Sequence, residues 1–159
     1  MKFISPLITV RDMRAAREFY ESVLGQELLH DFGANIAFKS GLSLHDRTHY
    51  AGLIGRDETS ITSKPCDMEL YFEEDDLEKV ERALDARNVE YLHRIIEQAW
   101  RQRAIRFFDP DGHIVEVGES MEAAVRRLHA GGMSAEEIAR ESLMPMEFIA
   151  YALGTSTNA

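Results

Sequence analysis

The sequence predicts an α+β fold: two βαβββ modules followed by a C-terminal helical extension. Three observations carry this. The chain repeats itself, with FISPLITVRDMRAAREFYESVLG and its sequel matched by CDMELYFEEDDLEKVERALDAR and its sequel. In each copy a short β-rich run ends at an Asp placed as a helix N-cap, Asp12 and Asp76. Beyond residue 118 the apolar spacing changes from strand period to helix period. The modules fall at about 3–46 and 66–118, inside a domain spanning 1–118, and the extension runs 119–159.

Phe3 to Val10 is a short apolar β-type run. The helix that follows, MRAAREFYESVL, places Met13, Ala16, Phe19, Tyr20 and Val23 on one face, and Gly25 is a good stop. ELLHDF, NIAFKS and LSLHD are the next three strands, broken by Gly33 and Gly41. Residues 46–65 are polar and punctuated and read as a linker or ordered loop. In the second copy Met68 to Phe72 alternates, and the following helix turns Leu77, Val80, Ala83 and Leu84 to one side. VEYLHRII, AIRFFD and HIVEVG complete the module, the last two joined by the turn Asp109 to Gly112. In the extension, Glu122 to His129 is helical and Gly131–Gly132 breaks it. Ser134 with Glu137 forms a capping-box pattern, Pro145 starts a last helix, and the closing residues are mobile.

Charge limits the partners. The chain has 18 Lys and Arg against 28 Asp and Glu, a net charge of −10. That balance disfavours nucleic acid and anionic membranes, which need clustered positive charge. The extension faintly resembles a helix-turn-helix, but three Arg against five Glu from Met121 onward give it no basic patch. Its apolar residues suit docking onto the main domain or a second subunit. The single cysteine, Cys66, excludes an internal disulfide and a cysteine-rich metal knuckle. No apolar run reaches membrane-span length, and MKFISPLITVRD has no signal-peptide pattern, so a soluble, cytoplasmic protein is expected.

The repeat also serves as a ruler for the chemistry. Ser5 and Glu69 each stand seven residues before the capping Asp, and His45 and Glu116 match on the last strand of each module. Glu69 shares a strand face with Tyr71, away from Leu70 and Phe72. If the two modules curve around a shared hollow, Ser5, His45, Glu69 and Glu116 converge. One imidazole and two carboxylates then suit a divalent ion with open positions: Zn, Mn, Ni or Fe. Taken singly, a polar residue on an alternating strand usually just faces water.

The paired modules, the helix ending in EFYESVLG and the run FFDPDGHIVEVGE resemble the vicinal oxygen chelate superfamily. That group includes glyoxalase I, extradiol dioxygenases, fosfomycin-modifying enzymes and bleomycin-resistance proteins. The resemblance covers residues 3–118. It implies a curved mixed-sheet half-barrel pair around a shared hollow, with metal ligands on the first and last strands of each module. Glu116 matches the family's usual Glu. His45 occupies the matching position of the first module, and Glu69 a position where His or Gln is more frequent. His45, Glu69 and Glu116 are thus the candidate metal ligands, and Glu116 and Glu69 the candidate catalytic residues.

The function this implies is a divalent-metal-dependent enzyme acting on a small oxygenated molecule by lyase, isomerase or ring-cleavage chemistry. The alternative is a metal-free small-molecule or drug-binding protein of bleomycin-resistance type. A homodimer is expected, because such modules pair within or across chains. The segment EQAWRQRAIRF resembles one that lines the substrate hollow, which makes Trp100, Gln102 and Arg106 candidate substrate-binding residues. Trp100 offers a flat face for stacking, and Arg106 a guanidinium for an anionic group. Tyr71, on the face of Glu69, borders the same region.

Overall fold

The structure is a computed structural model that describes residue 2 and residues 4–62 and 68–155. The chain divides into two compact units, residues 1–68 with 108–114, and residues 69–107 with 115–159.

The first unit holds β1 (Leu7–Val10), α1 (Met13–Ser22), β2 (Leu28–Asp31), β3 (Asn35–Phe38), β4 (Ser43–Asp46) and α2 (Arg47–Leu53). Its sheet order is β1-β4-β3-β2, so the first strand pairs with the last. That pairing is parallel and sets Thr9 opposite His45. Asp12 caps α1, its Oδ1 accepting from the Arg14 and Ala15 amides at 3.0 Å. Ala16, Phe19 and Tyr20 bury one face of α1 with Val10, Ile36, Phe38 and Leu44 in the core.

The polar stretch after β4 is not merely a linker. Asp46 ends the strand and also caps α2, accepting from the His49 amide at 2.8 Å, and a 3-10 turn follows at Glu58–Ser60. Only Ala51 of α2 is buried, so this helix carries almost no apolar periodicity to read. Residues 63–67, with Cys66, lie outside the described residues, as do residues 156–159 of the expected mobile end.

The second unit repeats the pattern with β5 (Glu69–Glu73), α3 (Leu77–Asp85), β6 (Tyr91–Glu97), β7 (Arg103–Phe108) and β8 (Ile114–Gly118). Its order, β5-β8-β7-β6, is that of the first sheet. Asp76 caps α3 through the Lys79 amide at 2.8 Å. Leu77, Val80 and Leu84 are buried on α3, and Leu70, Ile105, Phe107, Val115 and Val117 on the strands. The expected arrangement of two strand–helix–three-strand modules is therefore present.

The extension belongs to the second unit. It forms α4 (Met121–Ala130), α5 (Ala135–Ser142) and α6 (Met146–Ala152). The capping box of Ser134 and Glu137 is complete, and α6 follows Pro145 as expected. Val125, Leu128, Ile138, Met144, Ile149 and Ala152 form its small core. Among the described residues no helix is long and apolar enough to cross a membrane.

Candidate functional site

The second sheet has two unlike faces. Arg94 and Tyr91 tie β6 to α3, each reaching Asp85 at 2.9 Å. Strand alternation turns Glu69 and Tyr71 of β5, Gln102, Ala104 and Arg106 at β7, and Glu116 of β8 the other way. This second face carries the candidate residues of the second module.

Arg106 is its centre. Its Nε donates to Glu69 Oε2 at 2.8 Å, and its Nη2 is ion-paired with Glu116 Oε2. Its Nη1 lies 3.1 Å from Nε2 of His93. The other ring nitrogen of His93 is 2.8 Å from the Arg94 carbonyl, an acceptor only. Nδ1 therefore carries the proton, and Nε2 accepts from Arg106. Glu116 is 3% exposed. Burial raises its proton affinity most, and Glu69, hydrogen-bonded beside it, adds to the rise, while Arg106 opposes both.

Next to this cluster runs a hydrogen-bonded chain. Trp100 Nε1 donates to Gln102 Oε1, and Gln102 Nε2 donates to Tyr71 Oη, both at 2.9 Å. Gln102 also donates to the Glu119 carbonyl at 2.7 Å, and Tyr71 donates to Glu73 at 3.0 Å. Burial above all pushes the Tyr71 hydroxyl up to about 12, the Gln102 bond pulling down and Glu73 pushing further up. Gly118 leaves room for this approach: a Cβ there would stand 2.9 Å from Gln102 Nε2 and 3.2 Å from the Tyr71 ring. The β6–β7 turn presents Trp100 beside Arg101, which adopts a left-handed φ of 71°.

His45 stands in the first unit, at the end of β4, and is buried. The Asn35 amide nitrogen donates to the Leu44 carbonyl at 3.1 Å and faces His45 Nδ1 at 3.3 Å. The carbonyl contact fixes the amide's orientation, so Nδ1 of His45 accepts. Its Nε2–H then donates to Nδ1 of His49 at 2.7 Å. Burial lowers the proton affinity of His45 most; His49 lowers it further and Asp46 partly restores it. Ser5, matched to Glu69 by the repeat, sits 3.3 Å from the Ser43 hydroxyl.

These surroundings decide how well the candidate ligands fit a metal. Both ring nitrogens of His45 are engaged, Nδ1 by the Asn35 amide and Nε2 by His49. Glu69 and Glu116 do share a cation, and it is the guanidinium of Arg106. Among the described residues no three His, Cys, Asp or Glu side chains form a group able to hold a metal ion. In this arrangement His45, Glu69 and Glu116 are each already hydrogen-bonded or ion-paired within the protein. The partners the sequence reading passed over are His93, His49 and Asn35. The spacing of four between His45 and His49 was a signal for one of them; a bulge in β6 hides His93 from simple alternation.

Residues 3–122 match the family model of the glyoxalase-like domain. The chain belongs to the glyoxalase-like family. The vicinal oxygen chelate resemblance read from EFYESVLG and FFDPDGHIVEVGE is thereby upheld. A protein of unknown function from Agrobacterium tumefaciens str. C58 is 36% identical, with a TM-score of 0.63 over 76% of this glyoxalase-like chain and 95% of that one. A glyoxalase/bleomycin resistance protein/dioxygenase from Nocardioides shares the fold at 21% identity, TM-score 0.59, over 75% and 83% of the two chains. A lactoylglutathione lyase from Agrobacterium tumefaciens shares it at 23% identity, TM-score 0.53, over 75% and 93%. No curated protein matches the chain.

Proposed function

We propose that this glyoxalase-like chain binds a small organic molecule on the open face of its second sheet, without a divalent ion at Glu69 and Glu116. Arg106 carries this reading. Its guanidinium already supplies the positive charge that these carboxylates need, and a second cation there would meet it at close range. Tyr71, Gln102 and Trp100 are the binding residues, and Arg106 holds the polar edge of the site. The reading follows the metal-free alternative drawn from the sequence rather than a site of His45, Glu69 and Glu116 around Zn, Mn, Ni or Fe.

The raised proton affinity of Glu116 supports a second reading, in which the bound molecule is transformed. A buried carboxyl that holds its proton more tightly than usual is suited to proton transfer. Glu116 is then the catalytic acid or base, and Glu69 modulates its charge. A homodimer belongs to the proposal too, supported by Leu143, Met146 and Tyr151, which the extension leaves exposed.

Elemental mass spectrometry on untagged protein, before and after reloading with Mn, Fe, Ni and Zn, tests the proposal. The expected result is metal far below one ion per chain throughout. Near-stoichiometric metal in the wild type, lost in both Glu116→Ala and His45→Ala, would overturn it.

A further inference from the structure

Two exposed rings on this face are held by one buried amide. Trp100 is 39% exposed and Tyr71 48%, whereas Gln102 between them is 4% exposed. Gln102 can sit only one way round. Turned over, its nitrogen would face the indole N–H and its oxygen the Glu119 carbonyl, two repulsive contacts in place of two hydrogen bonds. The rings are therefore positioned before any ligand arrives, which removes part of the ordering cost of binding.

Their polar edges are also used. The indole N–H is given to Gln102 and the Tyr71 O–H to Glu73. The exposed surface left to both rings is aromatic, which favours flat ligands and cations.

The charges nearby select between signs. Glu73 touches Tyr71, and Glu69 lies on the same strand face. The arginines of the region are paired: Arg106 with Glu69 and Glu116, Arg103 with Glu78 and Glu119, and Arg101 with Glu97 and Glu141. An anionic ligand would have to break one of these pairs; a cationic ligand would not. We infer that Gln102 is a positioning residue that locks Trp100 and Tyr71 as a platform for a flat organic cation. This rests on the binding reading above and names the ligand class of the same site.

Trp100 is the sole tryptophan, so its fluorescence reports on the platform alone. Three probes of similar shape separate the charges: 1-methylquinolinium, quinoline at pH 8 and 2-naphthoate. They are titrated into the full chain by fluorescence and calorimetry. Saturable binding of 1-methylquinolinium about tenfold tighter than 2-naphthoate is expected. Glu73→Gln should weaken the cation about threefold and leave quinoline unchanged. Gln102→Met should weaken both by about tenfold and speed the fast decay of Trp100 anisotropy, with the circular dichroism unchanged. If that variant does not fold, Tyr71→Phe, an exposed position that keeps its ring and loses its tether, is expected to weaken the cation. Equal or tighter binding of 2-naphthoate would overturn the ligand class while leaving the binding reading intact. Unchanged affinity in Tyr71→Phe and in folded Gln102→Met would overturn the role of Gln102. No saturable response to any probe would overturn the binding reading itself, and this inference with it.

Discussion

Tyr20 donates its hydroxyl to Asp109 at 2.9 Å, joining α1 to a turn 89 residues later in the chain. The same carboxylate accepts from His113 Nδ1 at 2.8 Å and from the amides of Asp111 and His113. Asp111 in turn accepts from the Arg11 backbone and side chain at 3.0 and 2.9 Å. The turn Asp109 to Gly112 is thus a buried polar junction of the first unit as well as a connection between strands.

Asp109→Ala should be among the most damaging single changes. It leaves a buried hydroxyl, an imidazole N–H and two amides without an acceptor. A loss of about 3 kcal/mol is expected, read as a lower midpoint in urea with an unchanged slope. A loss below about 1 kcal/mol would mean that water replaces the carboxylate.

The same residue sets an acid dependence. Burial raises the Asp109 pKa, but the bonds from His113 and Tyr20 outweigh it, and the net shift is downward. The unfolded chain therefore binds a proton at a pH where folded Asp109 does not. Its stabilising contribution is fully present above the ordinary carboxylate value of about 3.9 and is lost as pH falls through the folded value. Tyr20 is shifted upward by burial and then by Asp109, so its contribution is present below about 10 and lost as pH rises through its folded value. Urea unfolding across pH should show both edges, with the acid edge reduced in Asp109→Asn.

Arg106→Met removes the cation between Glu69 and Glu116. Two carboxylates then meet unscreened, and Glu116 is pushed still further toward its protonated form. A loss of about 2 kcal/mol at pH 7 is expected. A group with a raised folded value contributes stability below its unfolded pKa and loses it as pH rises, so the deficit should shrink toward pH 4. Adding Glu116→Gln should restore part of the loss at pH 7. A deficit independent of pH would disprove this account of the cluster.

Glu119 fastens the extension. It is 1% exposed and accepts from Arg127 Nη2 at 2.6 Å and from the Arg103 amide at 2.8 Å. Arg127 also reaches the Arg101 carbonyl and Glu97. Arg127→Met should loosen α4 first. Hydrogen exchange should quicken in α4, α5 and α6 by about tenfold while α1 keeps wild-type protection. Equal acceleration in both units would mean that the change acts on the whole fold.

Much of the architecture is legible in local signals. Asp12, Asp76 and Ser134 mark helix starts because a short polar side chain satisfies amides two or three residues away. Alternation sets Glu69 and Tyr71 on one face and Leu70 on the other because strand geometry alone dictates it. The repeat itself conveys that both sheets share one strand order. The helix α2 leaves no such local signal, because Asp46 serves strand and cap at once and the helix buries only Ala51.

The sequence by itself therefore determined the two modules, the helical extension, their caps and the strand faces on which the candidate residues lie. Each of these depends on interactions within a few residues. Only the tertiary structure decided what those residues touch. Arg106 meets Glu69 across 37 positions, Gln102 meets Tyr71 across 31, and the Asn35 amide sets the tautomer of His45 across a strand pair. Such partners are chosen by sheet register and side-chain rotamer, which no local periodicity encodes. That choice makes Glu69 and Glu116 share one guanidinium, a contact that no local signal announces.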